Sequence, residues 1–165
     1  MIALGRSSGA GSETPTVLHV PEQDHIQPIM ALKPYDIVAI MAAMPWAIEF
    51  HPEFEPEFDE LPEAVQDELL AQLQLLAQFG PTLGRPRVDT LNGSKHANMK
   101  ELRFDADDGI WRVAFGFDPN RTGILLVAGD KSGGSQKAFY KQLIKKADER
   151  FDAHLAPMKK VRKPK

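Results

Sequence analysis

The chain has 165 residues, of which 42% are hydrophobic and 26% charged, a globular composition with room for one ordinary domain and an appendage. Cysteine is absent, which excludes disulfides, thiolate catalysis and cysteine-based zinc sites and agrees with a reducing, cytoplasmic setting. The net charge of −3 conceals a split: residues 1–84 carry two basic and 13 acidic side chains, whereas residues 85–165 carry 18 and 10, so the second half invites an anionic partner.

Residues 1–43 open with Ser7, Ser8, Gly9, Gly11 and Ser12 and continue through Pro15, Pro21, Pro28 and Pro34 without a helical or strand period. They read as a loosely ordered extension, either a genuine arm or a segment upstream of a true start at Met41 or Met44. No secretory pattern is visible. The most apolar stretch, Ile37 to Ile48, contains Pro45 and falls short of the roughly 20 apolar residues of a membrane span. A folded domain is expected over 44–160, followed by a basic tail at 161–165.

Trp46 to Phe50 alternates and predicts a short first strand. The acidic stretch Pro52 to Glu60 suits one or two helical turns. A clear helix follows: Pro62 and Glu63 favour its start, and Leu61, Val65, Leu69, Leu73, Leu76 and Phe79 share one face. Gly80 and Pro81 stop it. Residues 81–98 form a basic, turn-rich connection. Strands are then expected at Met99–Phe104, Ile110–Phe117 and Ile124–Ala128, with turn chemistry at Asp107-Asp108-Gly109 and at Asp118–Gly123 producing an antiparallel meander. Ser135 is a candidate N-cap for a last helix with the stripe Phe139, Leu143, Ala147, Phe151 and Leu155. The order β–α–β–β–β–α predicts an α+β sandwich, one curved antiparallel sheet against a helical layer.

The chain has no P-loop, no nucleophile elbow and no H-E-x-x-H, and its five histidines lack ligand spacing, so neither a metal nor a cofactor is expected. What stands out is a concentration of cations around the meander: Lys95, His96, Lys100, Arg103, Arg112 and Lys131. Strand parity sets Arg112 opposite the bulky Trp111, Val113 and Phe115, hence on the open face if those three meet the helices. Cleaving RNA without a metal needs a base for the 2′-hydroxyl, cations for the phosphorus oxygens and an acid for the leaving oxygen. Arginine, lysine and tyrosine suit these tasks. Each residue also fits a plainer role: a solvated strand face for Arg103 and Arg112, loop polarity for Lys131, a core edge for Tyr140, and a solvated helix face for Lys137, Lys141 and Lys145.

The combination L-R-F, W-R-V-A, L-L-V-A-G-D-K-S and F-Y-K-Q-L-I-K-K-A between Glu101 and Phe151 resembles the phage-derived branch of the RelE/HigB toxin superfamily, with coverage from about Trp46 to Lys160. The resemblance implies a RelE-like sandwich and a metal-free endoribonuclease that cuts mRNA, commonly on the ribosome, leaving a 2′,3′-cyclic phosphate. It also implies silencing by a cognate antitoxin, in the HigA-like case a helix-turn-helix protein. Arg112 matches the family's central strand arginine, Lys131 its second cationic position, Arg103 a basic position on the neighbouring strand, and Tyr140, more loosely, its carboxy-terminal tyrosine. The lysine pair that precedes L-R in the family is replaced by Met99 and Glu101 around Lys100, so Lys100, Lys95 or His96 is the expected substitute base. RNA contacts are expected from Arg85, Arg87, Lys95, His96 and Lys137. Two other readings fit the same fold: a ParE-like, non-enzymatic gyrase inhibitor, and an inactive relative that only binds antitoxin or RNA.

Overall fold

The computed structural model describes residues 45–161. The expected extension at 1–43 and the last four residues of the basic tail lie outside the described residues. The elements run β1 (Ala47–Phe50), α1 (Glu55–Asp59), α2 (Glu63–Phe79), a 3-10 turn at Gly80–Thr82, β2 (Val88–Thr90), β3 (Lys100–Ala106), β4 (Gly109–Phe117), β5 (Thr122–Asp130) and α3 (Gln136–Val161). The fold is α+β. No described helix is long and apolar enough to cross a membrane.

Two expectations about the sheet are corrected. It has five strands in the order β1-β5-β4-β3-β2, and it is mixed rather than antiparallel, because β1 runs parallel to β5. The helical excursion leaves β2 at the opposite edge, antiparallel to β1. Three further reversals then bring β5 alongside β1 in the same direction. The added strand, β2, lies inside what reads as a connection; three residues are too few to display a period.

Local chemistry explains the joints. Asp107 and Asp108 both have positive φ, 49° and 57°, the mirror-image turn that matches the twist of the β3–β4 hairpin. The Asp118 carboxylate accepts hydrogen bonds from the Asn120 and Thr122 N–H groups and closes the β4–β5 turn. Gly80 ends α2 at φ 57°, where the Trp46 ring occupies the space a Cβ would need. At the start of α3 the Ser135 hydroxyl accepts from the Ala138 N–H.

Helices cover the sheet on both sides rather than in one layer, as the nearly all-apolar run Ile124–Ala128, which reads as a strand covered on both faces, requires. Leu102, Phe104, Val113, Phe115 and Leu125 pack against Phe54 and Phe58 and the α2 stripe of Val65, Leu69, Leu73 and Leu76. On the other side Ala114, Ile124, Leu126 and Val127 pack against Leu143, Ala147 and Phe151 of α3. A bulge makes this possible: Ala114 pairs with Val127 but Phe115 with Leu125, so the intervening Leu126 and its neighbour Val127 both turn toward α3. Gly116 and Gly129 let the helix close in, since a Cβ at either would stand 2.9 or 2.8 Å from the rings of Phe151 or Phe139. Arg150 of α3 reaches the sheet edge, donating to the Leu126 carbonyl at 2.6 Å and to both Glu57 carboxylate oxygens of α1.

Candidate active site

The face carrying Arg112 is therefore not open. The bulky residues Trp111, Val113 and Phe115 do meet α1 and α2, but the apolar residues of β5 on the opposite face require cover as well, and α3 supplies it. Arg112 is half-buried beneath the first turns of that helix.

Pairing fixes who shares this face. Arg103 lies directly opposite Arg112, and Arg112 opposite Gly129. Glu101 precedes Arg103 by two residues and points the same way, as does its partner Asp89 on β2. Lys131 prolongs β5: its N–H donates to the Ile110 carbonyl at 2.8 Å. Asp130 holds the turn by accepting from the N–H groups of Ile110 and Ser132. Lys131 stands two residues beyond Gly129, so it is a diagonal neighbour of Arg112, about 7–8 Å away by ordinary sheet geometry. Tyr140, from the second turn of α3, joins the group. The Lys131 ammonium sits 5.9 Å from the centre of its ring, and its hydroxyl donates to Glu101 Oε1 at 3.5 Å. Arg103, Arg112, Lys131 and Tyr140, each expected at the site, thus come together.

The charges within the group are unequal. Arg103 is held by Glu101 at 2.6 Å and by Asp89 at 3.0 Å. Burial works against its charge, but these two carboxylates outweigh burial and its pKa is raised. Arg112 and Lys131 form no ion pair among the described residues. Arg112 donates to its neighbouring Trp111 carbonyl, while its Nε is buried without a partner. Glu101 is only 2% exposed, and its Oε2 likewise has no partner. An unsatisfied buried donor and an unsatisfied buried acceptor cost about 1–3 kcal/mol each. Burial raises the Tyr140 pKa, against the influence of the facing Arg112 guanidinium and with that of Glu101, so the phenol keeps its proton at neutral pH. A depression of about 270 Å³, lined by Thr90, Leu91, Asn92, Gln136 and Tyr140, leads to Glu101 and Arg103.

The remaining expected residues stand elsewhere. Lys100 has the opposite parity from Glu101 and Arg103, and its ammonium donates to the Thr90 hydroxyl at 3.1 Å. Lys95 and His96 bind Asp152 on α3, the His96 contact being 2.9 Å, about 18 Å along that helix from Tyr140. Arg85 pairs with Asp89 at 2.9 Å, and Arg87 donates to Gln72 at 3.0 Å. Lys137 is exposed one turn before Tyr140. Glu101 is the residue that sequence reasoning passes over, because its place looks like a departure from the family's lysine. Its signal was parity: a carboxylate on the inward face of a central strand, two residues from an arginine.

One covered sheet face thus gathers two cations without carboxylate partners among the described residues, a protonated tyrosine and a buried carboxylate, a set whose chemistry suits an anion with acid and base groups at hand. Residues 56–152 match the family model described as "Phage derived protein Gp49-like (DUF891)", and the chain belongs to that family. Two relatives come from Mycobacterium tuberculosis (strain ATCC 25618 / H37Rv). One, named "Putative toxin HigB2", is 46% identical over 89 residues, which is 53% of this chain and 44% of the relative, so the chain spans less than half of that protein. The other, named "Putative toxin HigB3", is 43% identical over 110 residues, 67% of this chain and 94% of the relative. The likeness to HigB toxins carried by the W-R-V-A and L-L-V-A-G-D-K-S segments is borne out. No solved structure matches the chain.

Proposed function

We propose that the protein is the toxin of a toxin–antitoxin pair and a metal-independent endoribonuclease that cuts mRNA on cytoplasmic ribosomes. One observation carries the reading: Arg112 and Lys131, which form no ion pair among the described residues, flank Tyr140 on the same face as the unpartnered oxygen of Glu101. A nucleotide supplies what both orphaned atoms lack once the side chains that cover them shift on binding: its 2′-hydroxyl donates to Glu101 Oε2, and its phosphate accepts from Arg112 Nε.

In this reaction the 2′-oxygen attacks the adjacent phosphorus while Glu101 takes its proton. Arg112 and Lys131 stabilise the charge that grows on the phosphoryl oxygens, each contributing through contacts that strengthen in the transition state. The bond from phosphorus to the 5′-oxygen breaks, and Tyr140 gives that oxygen its proton. The products are a 2′,3′-cyclic phosphate and a 5′-hydroxyl. Glu101 is left protonated and Tyr140 deprotonated; a proton passed across their 3.5 Å contact resets both. Lys100, Lys95 and His96 have no part in this scheme. Arg103 acts as a positioning residue by holding Glu101.

A cognate antitoxin, a helix-turn-helix protein of the HigA type, silences the toxin in this reading. The test is a brief pulse of expression in cells, following protein synthesis, transcript ends and DNA damage together. Rapid loss of synthesis with cut transcripts supports the reading. A DNA-damage response with intact transcripts contradicts it and favours gyrase inhibition. Growth without defect contradicts both.

A further inference from the structure

Away from the candidate site, Lys95 binds Asp152, Lys146 and Arg150 bind Glu57, and Arg85 binds Asp89. Arg87, Lys100 and Arg121 meet the neutral groups of Gln72, Thr90 and Trp46. Lys137, Lys141 and Lys145 in the first half of α3, like Lys159 and Lys160 at its far end, are exposed and form no ion pair among the described residues.

Their spacing makes them a row. Residues four apart share a helix flank and stand about 6 Å apart along its axis, the scale of successive phosphates in an extended strand. Lys137 precedes Tyr140 by three residues and so neighbours it on the helix surface, and the row starts beside the site's tyrosine and turns from there toward the solvent side of α3. It leads away from Lys131, whose ammonium already lies over that ring. The acids of α3 on neighbouring flanks are occupied: Asp148 accepts from the Ser94 hydroxyl and the Lys95 N–H, and Asp152 binds Lys95 and His96. Glu149, four residues after Lys145 and exposed, ends the row.

We propose that Lys137, Lys141 and Lys145 form a track for the phosphodiester backbone of single-stranded RNA beside the cut, so that α3 aligns the strand that the sheet cleaves. This rests on the nuclease reading and adds to it the surface that holds the substrate. It moves RNA contact from the loop around Lys95 and His96, where the cations are spent on Asp152, to the outer flank of the helix. Each phosphate neutralised by a lysine releases condensed counterion, which steepens the salt dependence of single-strand binding by roughly 0.7 per contact in the logarithmic plot.

The experiment measures binding of a single-stranded oligonucleotide, 2′-O-methylated at every ribose and so uncleavable, across a series of salt concentrations. The full-length wild type is compared with the triple variant K137Q/K141Q/K145Q and with a control, K95Q/K146Q, which removes two paired lysines. The slope for the triple variant is expected to be shallower by about 2, and that for the control nearly unchanged. An unchanged slope in the triple variant overturns the track, as it would if the row served an acidic protein instead. Equal flattening in the control also overturns it, because the effect would then be one of overall charge. Cleavage of ribosome-bound mRNA is scored separately. A wild type that cuts nothing yet shows the slope difference supports the track and sinks the nuclease reading. A wild type that cuts while the triple variant binds with the same slope sinks the track alone.

Discussion

Arg103 and Arg112 face each other across β3 and β4 as a directly paired couple, yet among the described residues only Arg103 has carboxylate partners, Glu101 and Asp89. Their neighbours divide the work between them. A guanidinium already neutralised gains little from a phosphate, whereas one that is buried and unneutralised gains much. In the proposed reaction Arg112 is the cation for substrate, and Arg103 the cation for the scaffold.

Arg112→Ala is therefore expected to lower cleavage by about 100-fold or more, the usual cost of removing one preorganised donor to a developing negative charge, with little change in melting temperature. Arg112→Lys restores charge without the planar fork and is expected to recover only part of the rate. Initial rates on ribosome-bound mRNA, with thermal melts beside them, check both.

Arg103→Ala has the opposite profile. It strands the Glu101 carboxylate, 2% exposed, without its counter-charge. Breaking a buried pair costs about 3–5 kcal/mol, and the low end applies because Arg103 is itself a third exposed. The double variant R103A/E101Q is expected to regain much of that loss, since a neutral amide tolerates the site better. Urea denaturation of the four proteins in the cycle measures the coupling.

Tyr140→Phe keeps the ring beside Lys131 and removes the hydroxyl that meets Glu101. Cleavage is expected to fall by about 100-fold, within the range for a lost general acid, while affinity for uncleavable RNA holds. Equal losses in affinity and rate would make the tyrosine a stacking platform only.

Much of this was legible in the residues. The α2 stripe, the Asp107-Asp108 turn and the nearly continuous apolar run of β5 each announce their element, because periodicity and turn chemistry are local. Parity also sorted Arg112 from Trp111 and Val113. The cover over Arg112 was not legible, because it depends on the bulge that turns Leu126 and Val127 toward α3 and on Gly129 admitting Phe139. The parallel pairing of β1 with β5 was hidden for a similar reason: partners about 75 residues apart leave no local mark. At the site, a list of cations cannot reveal which are already paired. Lys95 and His96 look as available as Lys131 until Asp152 is placed beside them.

Acid stability draws on two groups at the α1–α3 edge, beside the carboxyls of Asp89, Asp130 and Asp152, which their own hydrogen bonds also hold below the ordinary value. The hydrogen bond with Arg150 holds the Glu57 carboxyl below its ordinary 4.5, burial opposing it, and burial pushes His51 below its ordinary 6.5. For both, the unfolded chain takes up the proton more readily than the folded one, so the stability is present at neutral pH and is lost as pH falls. The melting temperature is expected to decline first below about 6.5, through His51, and again below about 4.5, through Glu57. Glu57→Gln should flatten the second decline. It should cost about 2 kcal/mol at neutral pH, less than a fully buried pair because Glu57 is 36% exposed. Melts across the acid range read both effects.

The central claim is that side chains on the α3 face of the sheet cleave the phosphodiester without help from a metal. Its most direct measurement is the chemistry of RNA ends after purified protein meets ribosome-bound mRNA, with and without a chelator that the ribosomes tolerate. The account predicts 2′,3′-cyclic phosphate and 5′-hydroxyl ends from the wild type under both conditions, and none above background from Arg112→Ala. Intact mRNA, or cutting that stops on chelation and returns with added metal, would contradict it.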